Sequence, residues 1–173
     1  MSPFKSRPRD LRRVRRSRQH GCWSHLVVAP LWVAYQANLG TLLRTCDAVG
    51  ACMAVPDTPH YHDALAKGDT LPAGRRPCIH WLQRGKERWV AEQRAGGWRI
   101  VAVELAEDAT QLPRLGPAMG RTVVLLGHEH NGIPDDLVEE ADACVEIPMV
   151  GVGASLNVAV AGSLVLYRLA GLM

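Results

Sequence analysis

The feature of this sequence that most limits its fold is an alternation of short apolar runs with helical patterns. Strand-like runs of four to eight residues recur along the chain, at residues 25–30, 51–55, 78–82, 98–105, 122–127 and 144–147. Such runs, separated by helices, are typical of a parallel sheet, because each parallel connection needs a crossover. The sequence therefore predicts one α/β domain over residues 23–173, with a mostly parallel sheet flanked by helices.

Two of the intervening helices have clear sequence signals. Between residues 38 and 50 the apolar side chains recur at helical spacing, with Asn38 as the expected N-cap and Gly50 as the expected stop. From residue 155 to about 169 the chain is apolar on nearly every side. A helix of that composition has to be buried in the core or against a second subunit.

The remaining segments carry weaker patterns. Residues 86–95 predict a polar helix, and residues 134–141 predict a short helix that opens with Pro134. Residues 56–77 hold Pro, Gly, Asp and His without clear periodicity, so they predict a long irregular loop. Residues 106–120 are rich in Pro and Gly and predict a linker.

Positive charge is concentrated at the start of the chain. Residues 1–20 hold eight basic side chains and one acid, whereas the rest of the chain holds 12 basic and 16 acidic side chains. A basic arm over residues 1–22 is suited to binding a polyanion such as RNA, because neutralised phosphates release counterions. A solvated tail without a partner is the alternative.

The cysteines and the apolar runs indicate where the protein resides. Cys22, Cys46, Cys52, Cys78 and Cys144 are scattered and never spaced as Cys-x-x-Cys, which argues against a disulfide framework and a zinc module. We expect them to be reduced and mostly to serve packing. No apolar run approaches the roughly 18 residues that span a bilayer, and no signal peptide follows the arm. The expected location is the cytoplasm.

Three glycine-containing segments stand at strand-to-helix junctions, where parallel sheets place ligand sites. The first is Asn38-Leu-Gly-Thr-Leu-Leu-Arg44. On a helical wheel Arg44 lies away from the apolar stripe and one turn beyond Gly40, so its cation would project beside a position without a side chain. Either a substrate backbone approaches there, or Arg44 is an exposed arginine paired with Asp47.

The second segment, Leu125-Leu-Gly-His-Glu-His-Asn-Gly-Ile-Pro134, places Glu129 between two glycines after a strand. The glycines allow a tight bend and leave amides free for a ligand, so Glu129 is a candidate polar contact. His128 and His130 flank it as a His-x-His pair. Because no third ligand is evident nearby, we expect surface or substrate-contacting histidines and no metal.

The third segment runs from Glu146 through Gly151 and Gly153 to Ser155 and Asn157. A strand enters a glycine loop here and a helix leaves it, so Ser155 is either a ligand contact or an ordinary N-cap. The glycines lack the third glycine and the acid of a dinucleotide fingerprint, and Ser155 is not in a Gly-x-Ser-x-Gly motif. Alone, the segment identifies no enzyme class.

Taken in order, the three segments resemble the TrmH-like (SpoU) branch of the SPOUT RNA methyltransferases. The resemblance rests on Asn-x-Gly-x-x-x-Arg, Gly-x-Glu-x-x-Gly-Ile, and Ile-Pro-Met followed by Ser-Leu-Asn-Val, and it runs from about residue 25 to the C-terminus. It implies a sheet whose C-terminal part forms a deep trefoil knot, and a homodimer. The implied activity is S-adenosylmethionine-dependent methylation of a ribose 2′-hydroxyl of tRNA, with ribosomal RNA as the alternative substrate.

The same resemblance implies the roles of individual residues. Backbone and apolar groups in the knot would hold the cofactor, at Val103, Gly127, Ile147, Met149, Ser155 and Leu156. The residues that would act on the substrate are Asn38, Arg44, Glu129, Ser155 and Asn157. Because an arginine stays charged at physiological pH, we expect Arg44 to position a phosphate and stabilise developing negative charge rather than remove a proton.

Two other functions fit parts of the pattern. One is an RNA-binding module of the same family that has lost catalysis and uses only its arm and dimer surface. The other is a metal-dependent hydrolase centred on His128, Glu129 and His130. All the polar residues of the family motifs are present, which favours the methyltransferase.

Overall fold

The computed structural model describes residues 21–22, 24–68 and 76–173. The predicted basic arm therefore lies almost entirely outside the described residues. Within them the chain forms seven strands: β1 (Leu26–Ala29), β2 (Cys52–Pro56), β3 (Ile79–Leu82), β4 (Arg99–Val103), β5 (Thr110–Gln111), β6 (Thr122–Leu125) and β7 (Ala143–Glu146). Six of these seven coincide with a predicted run, and β5 falls in the segment predicted to be a linker.

These strands form one sheet in the order β3-β2-β1-β6-β4-β7-β5, and every pairing between them is parallel. The predicted α/β class with a parallel sheet is confirmed. Because all the strands run in one direction, the central strands β1, β6, β4 and β7 end at the same edge. In parallel sheets this carboxyl edge is where ligand sites form.

The described residues form five α-helices, of which the first four lie between strands and the fifth follows β7: α1 (Gln36–Val49), α2 (Pro59–Gly68), α3 (Lys86–Ala95), α4 (Asp135–Glu139) and α5 (Val158–Leu169). Helix α2 shows that the predicted irregular loop at 56–77 is wrong for its first half. Pro59 suits the first helical position, and Tyr61, Ala64 and Leu65 form the buried face. With only three buried side chains, the apolar periodicity of this helix is weak.

The helices cover both faces of the sheet. In β1 the side chains of Leu26 and Val28 pack in the layer that contains α1, α2 and α5, whereas Val27 and Ala29 pack in the layer that contains α3 and α4. A strand buried on both sides needs an unbroken apolar run, which is what the sequence has. Among the described residues, no helix combines the length and the apolar content needed to cross a membrane.

Helix α5 is buried on one side only. Val165, Leu166 and Leu169 are buried, whereas 45% of Val160 and 37% of Tyr167 are exposed. The core of this chain therefore does not cover the whole apolar surface predicted for the helix. One apolar face of α5 points to solvent in the single chain.

The ends of α1 confirm one prediction and correct another. Gly50 ends the helix in the left-handed conformation, with φ of 76°, as expected for a glycine stop. Asn38 is not the N-cap, because the helix begins at Gln36 and Asn38 lies buried in its first turn. Its side chain is thus free to bond across the structure instead of capping its own helix.

Gly40 serves helix packing rather than substrate approach. A Cβ atom on Gly40 would lie 2.8 Å from the Cα of Gly68, so α1 and α2 touch backbone to backbone at this point. The space beside Gly40 that the helical wheel predicts is filled by α2. The suggestion that a substrate backbone approaches there is therefore wrong.

The prediction that the cysteines are reduced packing residues is wrong for Cys52 and Cys78. Cys52 and Cys78, which begin or precede the adjacent strands β2 and β3, are joined as a disulfide, and the Cys22 sulfur lies against both of their sulfurs. Cys46 is buried in the core, as expected for a packing residue. Strand pairing brings together cysteines that have no motif spacing in the sequence.

Candidate active site

Three of the sequence-predicted polar residues meet at the carboxyl edge of the sheet. Asn38 Nδ2 donates to Glu129 Oε1 over 2.7 Å, and Asn157 Nδ2 donates to Asn38 Oδ1 over 3.1 Å. Each residue comes from a different one of the three glycine-containing segments. The fold thus joins the three segments through one chain of hydrogen bonds, which we call the Asn38–Glu129–Asn157 network.

Glu129 is held as a carboxylate by the turn that follows β1. Its Oε2 accepts from the amide of Ala34 over 2.9 Å, and its Oε1 accepts from the amide of Tyr35 over 3.0 Å. Partial burial alone would raise the pKa of Glu129, but the bonds from Ala34, Tyr35 and Asn38 outweigh it and lower the pKa below its ordinary value. The side chain is therefore ionised at neutral pH and fixed in position.

Asn157 links the network to helix α5. Its Oδ1 accepts from the amides of Ala159 and Val160, over 2.9 and 3.2 Å, so Asn157 is the N-cap of the helix. Ser155 lies outside the helix, so its interpretation as an N-cap is wrong. One amide side chain thus ends the loop before α5 and orients Asn38 at the same time.

Tyr61 supports the turn that binds Glu129. This role was not predicted from the sequence. Its hydroxyl lies 2.8 Å from the carbonyl oxygen of Leu31 and 3.1 Å from that of Pro30, in the turn that carries the Glu129-binding amides. Burial, and then the nearby Glu129 charge, raises the pKa of Tyr61, so it stays a protonated donor. The helical spacing of Tyr61, Ala64 and Leu65 was the signal that could have found it.

The two histidines beside Glu129 contact the turn after β1 and each other. His130 Nε2 lies 3.0 Å from the Tyr35 hydroxyl, and the His130 amide donates to His128 Nδ1 over 3.1 Å. The Glu129 carboxylate meanwhile faces the amides of Ala34 and Tyr35. The three side chains that a metal-dependent hydrolase would use are thus engaged with separate partners in the described chain.

A cavity of about 110 Å³ reaches the network at Leu156, the residue before Asn157, although none of the three network residues lines it. It is formed by the ends of β4 and β7 and by the loop before α5. Five of the six residues expected at the cofactor line it, namely Val103, Ile147, Met149, Ser155 and Leu156. Its lining combines aliphatic residues with two acidic residues, Glu104 and Glu146, and includes no phosphate-binding glycine loop.

Gly127, the sixth expected cofactor residue, is not among the residues that line this cavity. A Cβ atom there would overlap the backbone of Gly132 and Ile133, so the glycine is needed for the chain to fold back on itself. His128 and Gly132 close that turn with two backbone hydrogen bonds of 2.9 Å. This close backbone packing explains why residue 127 is a glycine.

Glu104 is a second residue that sequence reasoning missed. The residue lines the cavity, and its carboxylate accepts from the amides of Leu105 and Ile133, over 3.0 and 3.2 Å. It therefore ties the end of β4 to the Gly127–Ile133 turn. An acid near the carboxyl end of the strand predicted at 98–105 was the available signal.

Arg44 stands apart from these groups. It is exposed on α1, in one stripe with Ala37, Thr41 and Ala48. From helix geometry it lies about 9 Å along the axis from Asn38 and is rotated by roughly 240° from it. The fold of a single chain thus brings Asn38, Glu129 and Asn157 together and leaves Arg44 on a neighbouring outer surface.

Solved structures with a similar fold are RNA-modifying enzymes. The A. aeolicus TrmH/SpoU tRNA modifying enzyme matches with a TM-score of 0.73 and 25% identity, over 95% of this chain and 82% of that one. An AdoMet-bound rRNA methyltransferase from Sinorhizobium meliloti matches with a TM-score of 0.70 and 28% identity, over 89% of this chain and 58% of that one.

Sequence relatives carry consistent names. The tRNA (guanosine(18)-2′-O)-methyltransferase of Aquifex aeolicus is 29% identical over 95% of this chain, and that of Escherichia coli K12 is 31% identical over 76%. The mouse protein of the same name, TARBP1, is 32% identical over 84% of this chain. The chain spans 76%, 56% and 9% of the lengths of these three proteins.

A match to a protein-family model covers most of the chain. The model of the SpoU rRNA Methylase family matches residues 25–167, which include β1 to β7 and nearly all of α5. The match covers the three glycine-containing segments, the Asn38–Glu129–Asn157 network and the adjacent cavity. This chain therefore belongs to the SpoU rRNA methylase family.

Proposed function

We propose that this protein transfers a methyl group from S-adenosylmethionine to a ribose 2′-hydroxyl of tRNA. The observation that carries the proposal is the Asn38–Glu129–Asn157 network, which unites all three family segments beside a cavity with neutral and acidic walls. The names of the relatives support this activity. Their tRNA substrates favour tRNA over ribosomal RNA, which remains the second candidate.

The chemistry of the cavity fits the proposed cofactor. Val103, Ile147 and Leu156 offer apolar walls for an adenosyl group, and the backbone beside them offers hydrogen bonds. Glu104 and Glu146 supply negative charge that suits a ligand with a sulfonium and an ammonium group. When bound, S-adenosylmethionine supplies the activated methyl group.

The loop over residues 149–156 would complete the cofactor site. In the single chain the cavity is smaller than the roughly 300–1,000 Å³ of sites for small molecules. Val150 and Val152, at the tip of the loop, are fully exposed, which is costly for apolar side chains. We propose that the loop closes over bound cofactor and that Ser155 then contacts it.

On the substrate side the protein has to orient the hydroxyl and favour negative charge on its oxygen. Asn38 and Asn157 are fixed by their mutual hydrogen bond, so they present amide groups without further ordering. Glu129 holds the turn that positions them. Arg44 would bind the adjacent phosphate and stabilise charge that develops on the ribose oxygen.

We propose that the working form is a homodimer, which would bring Arg44 of one subunit to the site of the other. Helices α1 and α5 lie side by side, with the hydroxyl oxygens of Thr45 and Ser163 2.7 Å apart. Their outer faces thus share one surface, with Arg44 on α1 and the exposed Val160 and Tyr167 on α5. Covering this apolar surface would stabilise a dimer.

Three further features complete the proposal. A trefoil knot in the C-terminal half is supported by α5 lying against the segment between β5 and β6, where the Ala118 amide donates to Leu169 O over 2.8 Å and Arg168 bonds the carbonyls of Pro113 and Leu115.

The basic arm would add electrostatic affinity for RNA. The protein would act in the cytoplasm.

The proposal is tested by incubating the protein with methyl-labelled S-adenosylmethionine and either unmodified tRNA or ribosomal RNA transcripts. Digestion to nucleosides and mass spectrometry then identify the methylated atom. We expect a 2′-O-methyl nucleoside from tRNA. Two results would contradict the proposed activity. One is methyl label on a base, and the other is no transfer to either RNA by a protein that binds S-adenosylhomocysteine.

A further inference from the structure

A cluster of three cysteines lies outside the site described above, at the starts of β2 and β3 rather than at the carboxyl ends of the strands. The sulfur of Cys22 lies 2.8 Å from that of Cys52 and 3.1 Å from that of Cys78. Among the described residues these three are the group whose potential ligand atoms all lie within 4.8 Å of one another. We call them the sulfur cluster.

Three separate parts of the chain build this cluster. Cys52 opens β2 and is buried, Cys78 directly precedes β3, and Cys22 precedes β1. Parallel pairing of β2 with β3 places the first two side by side. Cys22 is then brought to the same point from the segment that connects the basic arm to the domain.

A disulfide accounts for only two of the three sulfurs. If Cys52 and Cys78 are bonded to each other, the Cys22 thiol remains pressed against both at less than a comfortable non-bonded distance for sulfur. A Zn²⁺ ion would engage all three sulfurs. Each thiolate would lie about 2.3 Å from the ion and occupy one position of a tetrahedral ligand set. Sulfurs that share a tetrahedral Zn²⁺ ion lie about 3.8 Å apart, so the three sulfurs, which already converge on one point, would have to separate by up to about 2 Å once the disulfide is reduced and the ion binds.

The surroundings of the cluster also suit a bound metal. The amide of Ser24 donates to the Cys22 sulfur over 3.3 Å and so helps to orient it. A cavity of about 410 Å³, lined in part by His80, Trp89 and Trp98, opens beside the three sulfurs. It leaves room for a fourth ligand such as water at the open tetrahedral position.

We propose that, in the reduced protein, Cys22, Cys52 and Cys78 bind one Zn²⁺ ion. Binding releases the three thiol protons and forms three zinc–sulfur bonds, with no change in oxidation state. The ion joins β2, β3 and the last residue of the basic arm. It therefore fixes the point at which the arm leaves the domain.

The test uses the full chain, purified and kept in a reductant that does not bind metal. Elemental analysis of the wild type should find about one Zn²⁺ per chain, and replacement by Co²⁺ should give thiolate-to-cobalt charge-transfer absorption. Cys22→Ser changes an exposed residue and should lower Zn²⁺ affinity at least about tenfold. Cys144→Ser, a half-buried cysteine outside the cluster, is the matched control and should keep full zinc content.

Clear results would overturn the proposal. These are a reduced wild type that holds no zinc and gives no cobalt charge-transfer band, iron with sulfide in place of zinc, or a Cys22→Ser variant that binds Zn²⁺ like the wild type. A Cys52–Cys78 disulfide that persists in the reductant, with Cys22 as a free thiol, would also overturn it. Because the cobalt spectrum is recorded on the wild type, the test does not depend on the variant folding.

Discussion

The two halves of the proposed active site differ in how far they are ordered in the single chain. In the Asn38–Glu129–Asn157 network every polar side chain has partners, and Tyr61 fixes the supporting turn. In the loop at 149–156, Val150 and Val152 are fully exposed, and a Cβ atom on Gly151 would meet nothing within 4 Å. The fold of the single chain orders the network, whereas the loop has exposed apolar side chains without packing partners.

This contrast matches the demands of the proposed reaction. Groups that orient a hydroxyl gain from being fixed before the substrate binds, because ordering then costs nothing at the reacting step. A loop over a cofactor has to open, because the cofactor enters and its product leaves in every cycle. Substitutions in the network should therefore affect folding and chemistry, and substitutions in the loop should affect ligand binding.

The largest effect on folding is expected at Gly127, which lies between β6 and Glu129. In Gly127→Val the side chain overlaps the backbone of Gly132 and Ile133, so we expect a loss of about 3 kcal/mol or more in the free energy of unfolding. Chemical denaturation measures it. Gly151→Val is the matched control and should unfold like the wild type; equal stability of both variants would contradict the packing role of Gly127.

Arg44→Ala should damage chemistry selectively. We expect at least about a 100-fold loss in single-turnover methyl transfer, about 2.7 kcal/mol, because a preorganised positive charge is removed. Folding and S-adenosylhomocysteine affinity should be retained, since Arg44 is exposed. Arg44→Lys should recover activity only weakly if the planar guanidinium positions both phosphate and ribose.

The control for Arg44 is Arg88→Ala. Arg88 is also an exposed helical arginine, but it lies on α3 and pairs with Glu92. Its loss should leave methyl transfer unchanged. If Arg44→Ala turns over normally at saturating RNA and cofactor, Arg44 has no part in the chemistry.

Glu129→Gln tests the network through stability and pH. We expect a loss of about 1–2 kcal/mol at pH 7, because charge-assisted bonds to Ala34, Tyr35 and Asn38 are weakened. The folded-state pKa of Glu129 is lowered, so the wild-type advantage is present above the unfolded pKa of about 4.3 and is lost as pH falls through the lower folded value. Denaturation curves between pH 7 and about pH 3 measure this. An advantage that is constant over this range would show that the carboxylate charge does not matter.

The smallest effect on stability is expected in the loop. Replacing Val150 and Val152 together by Ser should change the free energy of unfolding by less than about 0.5 kcal/mol, because both side chains are exposed. The same variant should bind S-adenosylhomocysteine about tenfold more weakly, since closure over the ligand would bury these groups. Met119→Ser, also exposed, is the control. Calorimetry showing unchanged affinity would assign the valines to another contact.

The sequence was informative wherever pattern and structure follow local rules. Continuous apolar runs located six strands within one or two residues at their starts, and the three segments supplied Asn38, Glu129 and Asn157. Sequence alone did not reveal that Asn38 bonds across the structure, because its use as a helix N-cap explains the same position locally. Asn38, Glu129 and Asn157 come together only through the order of the strands in the sheet, which is a property of the whole fold.

Three of the remaining misses share one physical cause, which is contact between segments distant in sequence. Gly40 is required because Gly68 touches it, Glu104 because it binds the amide of Ile133, and Cys22 because strand pairing sets its partners. Helix α2 was missed because only one narrow face is buried. None of these contacts leaves a periodic signal in the sequence.

The most direct test of the central claim is methyl transfer to a single defined ribose. Once the modified nucleotide is mapped, two tRNA transcripts are compared that differ only in the presence of the 2′-hydroxyl at that nucleotide. We predict full transfer to the ribose form and none to the 2′-deoxy form, at equal tRNA binding. Transfer to the 2′-deoxy transcript would show that the acceptor is not the ribose hydroxyl and would contradict the proposed function.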